Sequence, residues 1–255
     1  MHDTGLLSMR YHLLASGSKG NCLVVVSAQA TVIIDCGGPK RYLQDCFRQL
    51  GIDYLAADAL LLTHQHVDHI KQLDMFRSLT IYAPFEVMAC PDERLVTPYE
   101  TFTVKDLTIT PLALSHDSPS TVGYLLDDGS QRLAEVTDTG YVSQVNAQAI
   151  ADADYYVFES NHDPEMLMRT PRPAYVKRRI AGDCGHLCNQ DAAVCLSHVL
   201  GPRSREVTLA HISQQANTPQ LAVYTLKAQL AQDHVPAQRL LIRAADQFTI
   251  CSGGR

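Results

Sequence analysis

Thr63-His64-Gln65-His66-Val67-Asp68-His69-Ile70 gathers three imidazoles and a carboxylate within six positions. Crowded together and charged, such groups repel one another, and burying them gains little. A divalent cation makes the grouping favourable, because neutral imidazole and carboxylate are good ligands for zinc or manganese. The cluster follows Asp58-Ala-Leu-Leu-Leu-Thr63, a short apolar run that reads as a buried strand. The ligands therefore sit on a loop leaving a strand end, where open α/β sheets place their chemistry.

Outward from this stretch, the first half reads as short strands at 10–15, 22–27, 31–35, 58–62 and near 80–82, with a strand-like run over 104–114. Ser16-Gly-Ser-Lys-Gly-Asn21 is a glycine-rich turn, and Gly37-Gly38-Pro39 breaks the chain before a helix expected at 40–50. Another helix is expected after the metal-loop strand. The second half repeats the idea, with strands at 121–127, 131–136, 154–158, 206–210 and 239–243 and helices between them. Asn189 reads as the N-cap of one helix, and Thr218-Pro219 as the start of another. Periodicity alone supports an α/β or α+β chain. Two strand-rich halves with flanking helices point further, to a four-layer αββα sandwich.

With 255 residues and 46% hydrophobic content, the chain can bury a large core as one domain or two fused halves. No linker divides it, so a single domain over 9–255 is expected, with residues 1–8 a possible extension before Met9. No apolar stretch reaches the roughly 18 residues that suggest a membrane span. Residues 1–8 lack the basic and apolar regions of a signal peptide, so a cytoplasmic location is expected. The eight cysteines are scattered and read as reduced thiols. Cys184-Gly-His186-Leu-Cys188 lacks the second pair that a structural zinc site needs. A formal net charge of −6 excludes a nucleic-acid binder that works through bulk positive charge. One local basic stretch, Arg169, Arg172, Lys177, Arg178 and Arg179, reads as either a solvated face or a phosphate-gripping rim.

Three further candidate ligands follow apolar strands in the same way. His116 follows Leu112-Ala-Leu-Ser115, Asp138 follows Leu133-Ala-Glu-Val-Thr137, and His211 follows Val207-Thr-Leu-Ala210. His2, His12, His198 and His234 stand alone and carry no such expectation.

The HxHxDH pattern of His64, His66, Asp68 and His69 resembles the signature of the metallo-β-lactamase superfamily, with His116, Asp138 and His211 in the order of its remaining ligands. Within it the chain is similar to the YycJ (WalJ) branch. The supporting segments are Ala15-Ser-Gly-Ser-Lys-Gly-Asn-Cys22, Ser115-His-Asp117, Thr137-Asp-Thr-Gly140, Glu159-Ser-Asn-His-Asp163, Gly185-His-Leu-Cys-Asn189 and Ala210-His-Ile-Ser213. The resemblance implies two divalent metal ions, zinc or manganese with iron also compatible. His64, His66 and His116 would hold the first ion, Asp68, His69 and His211 the second, with Asp138 bridging. A metal-bridging hydroxide would be the nucleophile. His66 stands where di-iron oxygen-reducing relatives carry glutamate, which favours hydrolysis.

The resemblance further implies a phosphodiesterase, foremost a 5′-to-3′ exonuclease on DNA, with RNA or a small cyclic or nucleotide phosphodiester as the alternative substrate. A metal-bearing regulatory protein without catalysis is the rival from another class. By the same resemblance His186 protonates the leaving group or stabilises a phosphate oxygen, and His162 helps bind phosphate. Glu159 orients one of these histidines, and Asp68 doubles as a proton acceptor. Lys19 and Cys188 stand where small hydroxyl residues are more usual in the branch, and Lys19 is a candidate phosphate contact. Oligomeric state is not legible from the residues.

Overall fold

The structure, a computed structural model, describes residues 9–87 and 92–254. The expected extension at 1–8 and Cys90 lie outside the described residues. Two seven-stranded sheets form. The first holds β1 (Arg10–Ala15), β2 (Cys22–Val26), β3 (Thr31–Ile34), β4 (Ala59–Leu61), β5 (Ile81–Ala83) and β6 (Glu93–Leu95). The second holds β7 (Phe102–Val104), β8 (Leu107–Ala113), β9 (Val122–Asp127), β10 (Arg132–Val136), β11 (Tyr155–Glu159), β12 (Glu206–Ala210) and β13 (Leu241–Ala244). The last strand, β14 (Cys251–Gly253), returns to the first sheet and pairs antiparallel with β1. The helices are α1 (Lys40–Leu50), α2 (Val67–Ile70), α3 (Gln144–Ile150), α4 (Pro164–Arg169), α5 (Ala174–Ile180), α6 (Asn189–Val199) and α7 (Pro219–Gln232).

Three apolar clusters define four layers. Alternate residues of both sheets, such as Tyr11, Val25, Leu61, Ile109, Tyr124 and Val157, meet in the seam between them. The other faces of β2–β5 bury Val24, Ile33, Leu60 and Ile81 against Leu43, Cys46 and Phe47 of α1. The outer face of the second sheet buries Ala134, Tyr156 and Val207 against Ile150 of α3, Leu196 of α6 and Leu226 of α7. The strands thus have one face in the seam and one beneath helices, which explains why they read as continuous apolar runs. The expected αββα sandwich is the observed architecture.

Several local expectations needed correction. The strand-like run over 104–114 is β8, Leu107–Ala113, except that Val104 ends β7 before a turn at Lys105 (φ 52°). The helix expected after β4 forms as the four-residue α2, followed by a 3₁₀ turn at Leu73–Met75. Cys188, not Asn189, caps α6: its sulfur accepts from Asp191 N at 3.4 Å. Asn189 is instead buried in the first turn, its side-chain oxygen accepting from Ser160 Oγ (2.6 Å) and Asn217 Nδ2 (2.8 Å). Thr218 caps α7 as expected. Strands β6, β7 and β14, three residues each, were not expected; unlike β4 and β5 of the same length, which are buried throughout, each carries exposed or half-buried residues.

The register fixes where chemistry gathers. Strands β10, β11 and β12 are mutually parallel, and β8 runs the same way because β9 is antiparallel to both β8 and β10. Their C-terminal ends therefore share one edge, and β3 and β4, also parallel, end at the same place. Thr63 at the end of β4 joins the sheets there, its carbonyl accepting from Val122 N at 3.0 Å.

Candidate metal centre

Every predicted ligand lies at that shared edge. His64 follows β4, His66 caps α2, and Asp68 and His69 lie within α2. His116, Asp138 and His211 follow β8, β10 and β12. Asp138 (φ 60°) and His211 (φ 54°) hold left-handed backbone, as does Asp35 (φ 59°) after β3. Such conformations cost roughly 1–3 kcal/mol each and persist where surroundings over-determine them. Close approach is enabled by Gly37: a Cβ there would lie 1.6 Å from Asp68 O, so a side chain would push α2 away.

The ligand atoms fall into two groups. His64, His66 and His116 place one nitrogen each within 4.8 Å of one another, and Asp68, His69 and His211 form a second such group. Asp138 lies between them, with Oδ2 2.9 Å from His69 Nε2 and Oδ1 3.8 Å from His116 Nε2. Glu159 and His186 join Asp138 and His211 in a further cluster.

Four candidate-ligand imidazoles are anchored through Nδ1, which turns Nε2 toward the centre, where Nε2 of His69 also lies 2.8 Å from Asn21 Nδ2. His69 Nδ1 donates to Asp35 Oδ2 at 2.7 Å. Thr63 Oγ1 gives its single proton to Asp35 Oδ2 (2.8 Å) and so accepts from His64 Nδ1 (3.0 Å). His116 Nδ1 donates to Gly185 O at 3.1 Å, and His211 Nδ1 to Glu159 Oε1 at 2.9 Å. Supports of this kind fix tautomer and ring orientation in metal sites.

Buried polar atoms normally find a hydrogen-bond partner, and an orphan costs about 1–3 kcal/mol. His64 Nε2 and His211 Nε2 are buried without such a bond, both within the candidate ligand groups. The donor set of imidazole nitrogens and carboxylate oxygens is that of a divalent cation, so the residues present fit one.

Electrostatics separates the histidines. Burial pushes His64 down to about 2, aided by the neighbouring His69, and burial also lowers His116. Burial opposes charge on His69 too, but Asp35 and Asp138 lift it well above the usual range. For His211 burial is overridden by Asp138 and Glu159, which raise it to about 9. Glu159 would be raised by burial, yet His186 and His211 hold it down to about 2.

The remaining candidates are placed unevenly. His186 Nδ1 lies 2.8 Å from Glu159 Oε1 and 3.4 Å from Asp138 Oδ1, at the edge of the ligand cluster. His162 is buried outside the ligand groups, with Nδ1 unpartnered; burial depresses it to about 4. Lys19 is exposed on the turn after β1 and belongs to no ligand group. Two supporting carboxylates escaped the sequence reading. Asp35 carried the same signal as Asp138, an acid ending an apolar strand before a glycine. Asp117 appeared only within the family segment Ser115-His-Asp117, with no role assigned; it meets His66 and His116 (Oδ1 to Nε2 3.6 and 3.4 Å) and pairs with Arg179 of α5.

The beta-lactamase superfamily domain model matches residues 31–212. A Bacillus anthracis protein named exodeoxyribonuclease YycJ is 32% identical over 229 residues, covering 85% of this chain and 87% of that protein. A Streptococcus pneumoniae protein named exodeoxyribonuclease WalJ is 30% identical over 243 residues, covering 89% and 90%. Among solved structures, the metallo-beta-lactamase fold protein YhfI of Bacillus subtilis superposes with a TM-score of 0.72 at 16% identity, covering 96% of this chain and 100% of that one. At that identity the likeness speaks for the fold alone.

Proposed function

The chain belongs to the beta-lactamase superfamily, and on that premise we propose that this metal-dependent hydrolase is a DNA exonuclease working from 5′ ends with two divalent ions. The observation that carries the reading is the pairing of two ligand groups around one carboxylate, Asp138. A centre closed for structure alone needs four ligands and no shared anion. In this reading His64, His66 and His116 hold one ion, Asp68, His69 and His211 the other, and Asp138 serves both. Bound there, divalent metals supply Lewis acidity toward a phosphate and a nucleophile at neutral pH.

The protein's own groups supply the rest. Asp35 and Glu159, each buried behind a ligand histidine, keep Nε2 of His69 and His211 aimed inward. His186, tied by Nδ1 to Glu159, keeps its other nitrogen for the substrate and is the proton donor to the departing oxygen. Asp68, partly exposed beside His69, is placed to accept a proton from water. The single observation for DNA as substrate is the naming of two relatives at 30–32% identity that share most of their length with this chain.

Purified protein loaded with manganese or zinc and given DNA labelled at either end, RNA and cyclic phosphodiesters tests this. Release of 5′ nucleotides from DNA, ahead of the other substrates, is the expected result. Intact DNA under every metal, or cleavage of RNA alone, would overturn the DNA reading.

A further inference from the structure

Helix α5 is unlike the other long elements of the second half. Its seven residues, Ala174–Ile180, bury no side chain. A helix this short is unstable in isolation, and most helical stability in proteins comes from burying an apolar face. Its ends and polar contacts hold it instead. Pro173 precedes it, Lys177 Nζ donates to Met168 O at 2.6 Å, and Arg179 pairs with Asp117. Beyond it His186 N donates to Ile180 O at 2.9 Å, and Gly185 allows the fold-back, since a Cβ there would lie 2.2 Å from Arg179 O.

These ties put α5 at the rim of the candidate metal centre. Asp117, which grips Arg179, sits within 3.6 Å of His66 and His116. The ring of Tyr175 is 68% exposed, one helical turn from Arg178 and Arg179. Arg178 is exposed and makes no ion pair among the described residues. Residues 169–180 hold five basic side chains and no acidic one, in a chain of net charge −6. Arg169 and Arg179 are paired with Glu165 and Asp117, but an exposed aromatic face beside the unpaired Arg178 within a basic stretch matches the two features that single-stranded nucleic acid needs, a stacking platform and a cationic track.

We propose that α5 is the docking surface for the single-stranded end of a DNA substrate, with a base stacked on Tyr175 and its phosphates running past Arg178 toward the metals. Duplex interior cannot be the occupant, because a paired base offers no free face to Tyr175. The inference rests on the nuclease reading above and adds to it the place and state of the strand.

The test measures binding of metal-loaded protein to a fluorescent, cleavage-resistant phosphorothioate single strand across a series of salt concentrations. Tyr175→Ala weakens binding roughly tenfold, whereas Tyr175→Phe keeps the ring and stays within about twofold of wild type. Arg178→Ala flattens the salt dependence by about 0.7 in log–log slope, the value for one lost contact to a single strand. Since Tyr175 and Arg178 are exposed, thermal midpoints of these variants should match wild type. Wild-type protein that binds no strand would overturn the nuclease reading itself. A strand bound equally by wild type and Tyr175→Ala, or a Phe variant as weak as the Ala variant, would overturn only the assignment of α5.

Discussion

The two candidate ligand groups both contain buried histidines but set them in opposite fields. Around His64, His66 and His116 no carboxylate is hydrogen-bonded directly to a ring; Nδ1 of His64 meets a hydroxyl and that of His116 a backbone carbonyl. Burial accordingly keeps His64 and His116 neutral. Around His69 and His211, buried carboxylates sit directly behind the rings, and both are lifted. A cation entering the first group meets ready lone pairs on His64 and His116. One entering the second must displace protons but is repaid by anions already in place. The difference teaches that the second group depends on its supports, Asp35 and Glu159, far more than the first depends on Thr63.

The shared carboxylate is where this contrast breaks most completely. Asp138→Ala should lower DNA turnover on the order of a thousandfold or more, with bound metal per chain falling as well. Full activity in that variant would dissolve the idea of one centre. Next in size, Asp68→Ala and His66→Ala should each empty one group. Metal analysis after dialysis should then find one ion per chain where wild type retains two, and an unchanged count in either variant would break the partition.

Asp35→Asn sharpens the comparison, since it weakens the support of His69 while leaving all ligands in place. Metal affinity should fall about 10- to 100-fold, and a competition titration should show the loss in one of two binding steps. Equal loss in both would mean that the Thr63 link carries the effect to His64 as well.

Glu135 gives the smallest effect. It is another buried acid on the Asp35 side; burial raises it to about 8, and Oε2 has no partner. An acid raised on folding binds its proton more tightly in the native state. Its stabilising contribution is full below the unfolded value near 4.3 and is lost as pH rises through about 8. Glu135→Gln should therefore leave the thermal midpoint near wild type at pH 5 and raise it by several degrees at pH 8.5. A midpoint difference independent of pH would show that Glu135 does not titrate in the seam.

Much of the centre was legible because each ligand ends an apolar strand, and strand ends are readable one segment at a time. His116, Asp138 and His211 could be picked out without knowing what they face. The part played by Asp117 could not, since its partner Arg179 lies 62 positions away. Cys188 capping α6 was missed for a related reason: Asn189 has the stronger local preference for a cap, but its amide satisfies buried partners at Ser160 and Asn217. Tertiary hydrogen bonding outweighed the local rule.

By itself, the sequence determined that a cation-binding cluster follows a buried strand and that the chain builds mixed sheets beneath helices, since both follow from local residue type and period. Only the tertiary structure decided which supports stand behind each candidate ligand, which ring nitrogen those supports hold, and that a helix with an exposed aromatic and basic face stands at the rim. Those outcomes depend on strand order and on contacts between segments far apart in the chain, where no local pattern reaches.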